Sequence, residues 1–486
     1  MQGTAAVPTA KLGVWTLTAI VVGSMVGAGV FSLPARFAES TGVFGSLIAW
    51  SVAGLGMLTL ALAFQALALR KPALDAGIYA YAKAGFGEYA GFFSAFGYWA
   101  SACVGNVTYW VLIMSTLGAW FPALGEGDTV LAIALSSAGL WVFFLLVRRG
   151  LREATAVNRV VTAAKLVPIV VFVLIALFAL RPEVFVDNLF GDVEVPLFEQ
   201  VRATMLVTVF VFLGVEGASV YSRHARRRRD VGRATLLGFL SVFAIFASVT
   251  IVSYGILPAS EIAALRQPSM AGVLESVVGE WGAVLVSAGL IVSVLGAYLA
   301  WTLMAAEVMF VAAKDGDMPR FLARQNAKDV PTAALLASTV LAQVFLVLTV
   351  FSEDAFTFAL NLTSALVLIP FLLVAGYLLK IAVRGDGYAR AGGDGGDGRS
   401  AAPGRRRELV IGLLATVYVA FLLFAAGWTY VLVSFLIYAP ATVFFAMARR
   451  EQGRRVFSRR ELAVFAISIA GALVAVLGLA LGWISI

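Results

Sequence analysis

Cysteine and histidine are almost missing from this chain: Cys103 and His224 are the only ones in 486 residues. One thiol excludes an intramolecular disulfide, and one thiol with one imidazole excludes a multi-thiolate or histidine-cluster metal site. No nucleophile stands beside a base in a recognisable motif, and no glycine-rich phosphate loop occurs. An enzyme is therefore not expected, and no catalytic residue, metal or cofactor is assigned.

Charge is scarce too. Asp, Glu, Lys and Arg make up 13% of the residues, about half the roughly 25% of a soluble domain. Hydrophobic residues make up 61%, and the mean hydropathy is +0.93. The few charges bunch between apolar runs, each long enough to cross about 30 Å of hydrocarbon. These features identify an all-α polytopic membrane protein. The net charge of +8 invites a nucleic-acid reading, but basic residues beside membrane spans explain it, so no nucleic-acid partner is expected.

Apolar runs bounded by charge place spans 1 to 5 near 13–38, 43–69, 88–121, 129–147 and 160–181. Spans 6 to 10 follow near 202–222, 232–256, 281–311, 333–351 and 355–380, and spans 11 to 13 near 409–425, 428–447 and 461–483. Lys11 precedes a first run of signal-anchor length or more, with no convincing cleavage site, so that run is kept. Alternate loops are basic, among them "SRHARRRRD" (222–230) and "RREQGRRVFSRRE" (449–461). The loops between them, such as "ALGEGD" and "SED", are acidic on balance. Lys/Arg excess marks the cytoplasmic side, which puts the N-terminus inside and the C-terminal "WISI" outside a cytoplasmic membrane. His224 sits in one of the arginine-rich loops, where a solvated role is expected. The Gly/Asp/Arg-rich stretch 384–408 reads as a flexible cytoplasmic linker.

Two spans carry a flaw. "VVGSMVGAGVFSLP" (21–34) has glycines at 23, 27 and 29 inside span 1, and "VFVFLGVEGASVYS" (209–222) sets Gly214 and Gly217 around Glu216 inside span 6. The flaws lie five spans apart, so the two segments enter the membrane from opposite faces. Interruptions at corresponding positions of two inverted halves point to a transporter's central site. Unwound backbone in lipid leaves N–H and C=O groups that protein, water or ligand must satisfy. A free α-amino acid suits them: its carboxylate on N–H groups at a half-helix N-terminus, its ammonium on freed carbonyls. Glycine lets the ligand approach the backbone closely. The competing reading is close helix packing, since Gly23 and Gly27 also fit the GxxxG spacing.

Other residues stand out by chemistry alone. Glu216 and Lys165 lie well within apolar runs, where an ionisable group is a functional candidate by default. For Lys165 the alternative is snorkelling to the cytoplasmic face, about two turns beyond Arg159. Asn106 and Asn361 can accept hydrogen bonds from a distal cationic group, although Asn361 reads equally as a buried asparagine pairing helices. Tyr109 shares a helix face with Asn106 by i,i+3 spacing, and Tyr98 lies further along that span.

"GSMVGAGVFSLP" and "FLGVEGASV" resemble the first- and sixth-span motifs of the amino acid–polyamine–organocation transporters. "LDAGIYAYAKAGFGEYAGFFSAFGYWASACVGNV" (74–107), "SVLGAYLAWTLMAAEVMFVAAKDGDMPRFL" (293–322) and "NLTSALVLIPF" (361–371) extend the match over nearly the whole chain. The chain is most similar to the basic amino acid/polyamine antiporter branch, and within it to arginine–ornithine exchangers. That resemblance implies a 5+5 inverted-repeat fold with spans 1 and 6 broken at mid-bilayer. The first repeat would cover 1–182, the second 183–380, the linker 381–408 and three extra spans 409–486. It implies that Ser24, Met25, Ala28 and Gly29 hold the substrate carboxylate, with Ala28 standing where relatives often have serine. Freed carbonyls of Met25, Phe210 and Leu213 would take the ammonium. Phe210, where arginine-binding relatives often have tryptophan, and Trp301 would be aromatic walls for the side chain; ordinary aromatic packing is the other reading of both. Glu216 would be a gating or pH-linked carboxylate bonded to a tyrosine such as Tyr98. Lys165 would fill a cation position tying span 5 to span 1, and Glu307 would be a gate or surface residue.

The expected activity is exchange of cationic amino acids, arginine for ornithine, by alternating access. The alternatives are a proton-coupled importer of lysine or arginine and another amino-acid or amine exchanger; a channel or membrane enzyme is the reading from another class. Arginine, ornithine, lysine and the lipid bilayer are the expected partners, and a homodimer is admissible.

Overall fold

In the computed structural model, residues 13–71, 74, 77–150, 155–192, 194–216, 228–352, 354–386, 388 and 404–484 are described. The core of the predicted linker, His224 and Gly217 lie outside the described residues. Every regular element among the described residues is a helix.

Among the described residues, ten helices are long and apolar enough to cross a membrane: Val43–Arg70, Glu88–Gly118, Val130–Arg148, Asp230–Ser253, Glu280–Lys314, Thr332–Phe351, Ala355–Arg384, Arg405–Ala425, Gly427–Glu451 and Arg459–Ala480. They coincide with spans 2, 3, 4 and 7 to 13 of the sequence reading. Span 1 is a bent pair, Val14–Met25 and Gly29–Ala38, at 50° to each other. Span 5 corresponds to Thr155–Phe178, and the described helix of span 6 is Leu197–Phe212.

Burial ranks the spans. In the apolar stretch of span 3, 89% of the residues are buried, against 17% in span 13. Span 3 therefore runs through the middle of the protein, and span 13 leans on span 12 at the periphery with its apolar side chains turned outward. Such a face suits lipid. Span 10 packs along spans 3 and 11, span 8 along span 3, and the first half of span 1 along span 7.

Four short helices were not expected from the sequence: Ile78–Phe86, Pro182–Asp187, Ala259–Ala263 and Ser269–Val278. They are too short to span, and their polar flanks hide the pattern. Two of them repeat one design. Ile78–Phe86 stops at Gly87 (φ +99), and Glu88-Tyr89 then begins the 31-residue helix of span 3. Ser269–Val278 stops at Gly279 (φ +81), and Glu280-Trp281 then begins the 35-residue helix of span 8. Each glycine N–H closes the short helix, onto Lys83 O at 2.9 Å and onto Glu275 O at 2.8 Å. Only glycine takes such a positive φ without strain. The same turn thus recurs five spans later.

Candidate functional site

Both flawed spans leave the helix where their glycines stand. The helix of span 1 ends at Met25; Val26 is extended (φ −77, ψ 97), and a 3-10 turn over Gly29–Ser32 restarts the chain. Among the described residues, the N–H groups of Gly27 and Ala28 meet no acceptor. The helix of span 6 ends at Phe212; Leu213 is extended (ψ 134), and Gly214 takes φ +100.

The two breaks press against each other, backbone to backbone. The Ser24 hydroxyl lies 2.8 Å from Val21 O and 3.0 Å from Gly214 O, so it donates to one of them at a time. A Cβ on Gly214 would stand 2.7 Å from Ser24 O. Across span 1, a Cβ on Gly29 would stand 2.5 Å from Val211 Cγ1 and 2.9 Å from Phe210 Cδ1. Glycine at 29 and 214 is what lets the two segments meet.

Two charged residues hold the breaks from outside. Lys165 is 3% exposed, and its Nζ donates to Gly23 O at 3.2 Å. That carbonyl lies in the last turn of the half-helix, the negative end of its dipole, where a cation is favourable. Glu216 is 1% exposed: Oε1 accepts the Tyr98 hydroxyl at 2.6 Å, and Oε2 accepts the Gly214 N–H at 3.2 Å. One carboxylate thus joins the break of span 6 to the central span 3.

Beside the joined breaks lies a partly open cavity. Ser24, Met25, Ala28, Gly29, Tyr109, Phe210, Leu213 and Trp301 all line it. Tyr98, Asn106 and Asn361 do not. Tyr98 stands behind the wall, its ring 6.2 Å from that of Trp301. Asn106 turns toward span 8, where Nδ2 donates to Thr302 Oγ1 at 3.1 Å, and its buried Oδ1 has no donor among the described residues. Asn361 is half-buried on span 10, two residues from the lining residue Thr363; residues two apart on a helix do not share a face. Glu307 is exposed on span 8, off the cavity.

Gly27, Ser101, Ala102, Gly105, Val211 and Thr363 complete the wall and were missed. The signal was spacing rather than polarity. Ser101, Gly105 and Tyr109 recur at intervals of four on span 3, which puts a hydroxyl, an open glycine position and a phenol on one face. Ser101 Oγ donates to Thr363 O at 2.8 Å and so fixes span 3 to span 10. Among the described residues no charged side chain lines the cavity; it offers backbone dipoles, hydroxyls and aromatic faces.

Ion pairs tie the spans together on both faces. On the face away from the basic loops, Arg36 Nη2 meets Asp354 at 2.9 Å, and the guanidinium lies over the Phe356 ring. Burial pushes the Asp354 carboxyl up, but Arg36 and the Thr357 hydrogen bonds outweigh it and hold the group below its ordinary range. On the opposite face Lys83 pairs with Asp317 at 2.7 Å, and Tyr79 bonds Asp315. Glu88 receives Arg449 at 2.6 Å and Arg454 at 3.0 Å. Burial raises the Asp317 carboxyl above its ordinary range despite Lys83.

The family described as amino acid permease matches residues 12–457. An arginine/ornithine antiporter of Pseudomonas aeruginosa is 48% identical over 485 residues, covering 98% of each chain. An L-lysine transport protein of Corynebacterium glutamicum is 40% identical over 493 residues, covering 100% of this chain and 98% of that one. An arginine/ornithine antiporter of Latilactobacillus sakei is 35% identical over 475 residues, covering 96% and 97%.

Proposed function

This chain belongs to the amino acid permease family, and from that premise we propose that it exchanges cationic amino acids across a cytoplasmic membrane, arginine for ornithine, by alternating access. The observation that carries the proposal is the meeting of two helix breaks at the wall of one uncharged cavity, Ser24 against Gly214.

The chemistry follows from the parts. The substrate carboxylate sits on the N–H groups of Gly27 and Ala28 at the start of the outer half of span 1, where the dipole is positive. The ammonium takes carbonyls freed at the breaks. The guanidinium or side-chain ammonium lies among Trp301, Phe210 and Tyr109, held by cation–π attraction. Among the described residues no carboxylate lines the cavity, so the cation is held without a permanent ion pair and can leave on either side. Arginine and ornithine carry the same charge, and their exchange is electroneutral.

The alternation of basic and acidic loops favours a cytoplasmic N-terminus. The recurring short helix–glycine–Glu–aromatic turn at 78–89 and 269–281 supports two inverted halves over 1–182 and 183–380, followed by a linker over 381–408 and three further spans over 409–486. A second reading, proton-coupled import of lysine or arginine, is favoured by the buried Glu216 and the lysine transport relative.

Preloading separates the two. Proteoliposomes filled with ornithine are expected to take up labelled arginine, and empty ones are not, with or without an imposed pH gradient. Equal uptake into empty vesicles under a proton gradient would overturn exchange in favour of proton coupling.

A further inference from the structure

Span 10 is a continuous helix from Ala355 to Arg384 with Pro370 inside it. In an α-helix the carbonyl of residue i accepts the N–H of residue i+4. Proline has no N–H. The carbonyl left without its partner here is that of Leu366, a fully buried residue. An orphaned carbonyl in a dry interior is costly.

A residue from outside the ten-span core meets it. Tyr438 of span 12 is 0% exposed, and its hydroxyl donates to Leu366 O at 2.9 Å. Span 3 makes room: a Cβ on Gly97 would overlap the Tyr438 hydroxyl. The Tyr438 ring stacks on Phe93 with centroids 4.8 Å apart. A phenylalanine would fill the same slot as well, so packing alone does not explain the hydroxyl.

Pro370 lies between two differently anchored parts of span 10. Before it, Thr363 lines the cavity, and Ser364 Oγ donates to Leu206 O of span 6 at 2.8 Å. After it, Tyr377 stacks on Tyr81 and Lys380 lies over Phe86, both on the short helix Ile78–Phe86. We propose that Tyr438 is a positioning residue: by supplying the hydrogen bond that Pro370 withholds, it holds span 10 in place at Leu366 and with it the Thr363 wall of the cavity. The appended spans then serve the site rather than only adding hydrophobic mass.

The test is a double-mutant cycle with Pro370→Ala, because alanine restores the missing N–H to Leu366 O. In otherwise native protein, Tyr438→Phe is expected to raise the half-saturation concentration for arginine exchange about fivefold, the scale of one lost buried hydrogen bond. It is also expected to speed amide hydrogen exchange around residues 366–372. Both effects should vanish when Tyr438→Phe is made in the Pro370→Ala background. The kinetic arm rests on the exchange reading above, whereas the amide arm does not, so a failure of that reading leaves the amide result able to decide. If Tyr438→Phe fails to fold, its recovery by Pro370→Ala is the supporting result, and no recovery overturns the proposal. Equal changes in both backgrounds, or unaltered amide exchange in Tyr438→Phe, would also overturn it.

Discussion

Replacing Gly29 by valine is expected to cut arginine binding about a hundredfold, at the upper end of the 1–3 kcal/mol that forced overpacking costs. The new Cβ alone would stand 2.5 Å from Val211 Cγ1 and 2.9 Å from Phe210 Cδ1, and two more methyl groups deepen the conflict. The relief open to the chain is to part the two broken spans at the wall where the substrate lies. Gly27→Ala is a milder control, since the nearest atoms to its Cβ would be those of the Tyr109 side chain, the hydroxyl at 3.1 Å. Scintillation-proximity binding of labelled arginine to purified protein reads both variants. Near-native affinity in Gly29→Val would separate the site from this wall.

Glu216→Ala carries the next largest expected effect, a fall in exchange of between about tenfold and a hundredfold, because hydrogen bonds to a charged group contribute roughly 1.5–3 kcal/mol. The carboxylate holds Tyr98 with one oxygen and the Gly214 N–H with the other. Removing it loosens the break of span 6 and leaves a buried phenol without its acceptor. Tyr98→Phe alone should cost less, and adding it to Glu216→Ala should cost nothing further, since the shared bond is already gone. Initial rates of arginine–ornithine counterflow measure all three. Additive losses would mean that the two residues act separately.

The span pattern was legible because the requirement is crude: about twenty apolar residues between charges. The breaks were legible for a sharper reason. Gly29 and Gly214 sit in runs that otherwise read as helix, and each stands where a side chain would strike the opposite break. The wall of span 3 was only half legible. Attention to polarity selected Asn106, but the face toward the cavity is set by Ser101, Gly105 and Tyr109, and Asn106 lies on its flank against Thr302. On span 10 the same preference selected Asn361 over Thr363, two positions and one helix face away. The bond from Tyr438 to Leu366 was not legible at all. Pro370 announces an orphaned carbonyl, but which helix stands opposite and at what height is fixed by packing over many residues.

Span 13 marks the limit of such reasoning from burial. It touches the body through span 12, and its outward residues, Ile467 and Leu473 among them, face away from the protein. Its sequence is apolar on nearly every side, as a helix at the edge of a bundle in lipid permits.

A density map of the protein with arginine bound tests the central claim most directly. It should show the ligand in the cavity with its carboxylate within hydrogen-bonding distance of the Gly27 and Ala28 N–H groups and its guanidinium among Trp301, Phe210 and Tyr109. Arginine seated elsewhere, with spans 1 and 6 running as unbroken helices past an empty cavity, would contradict it.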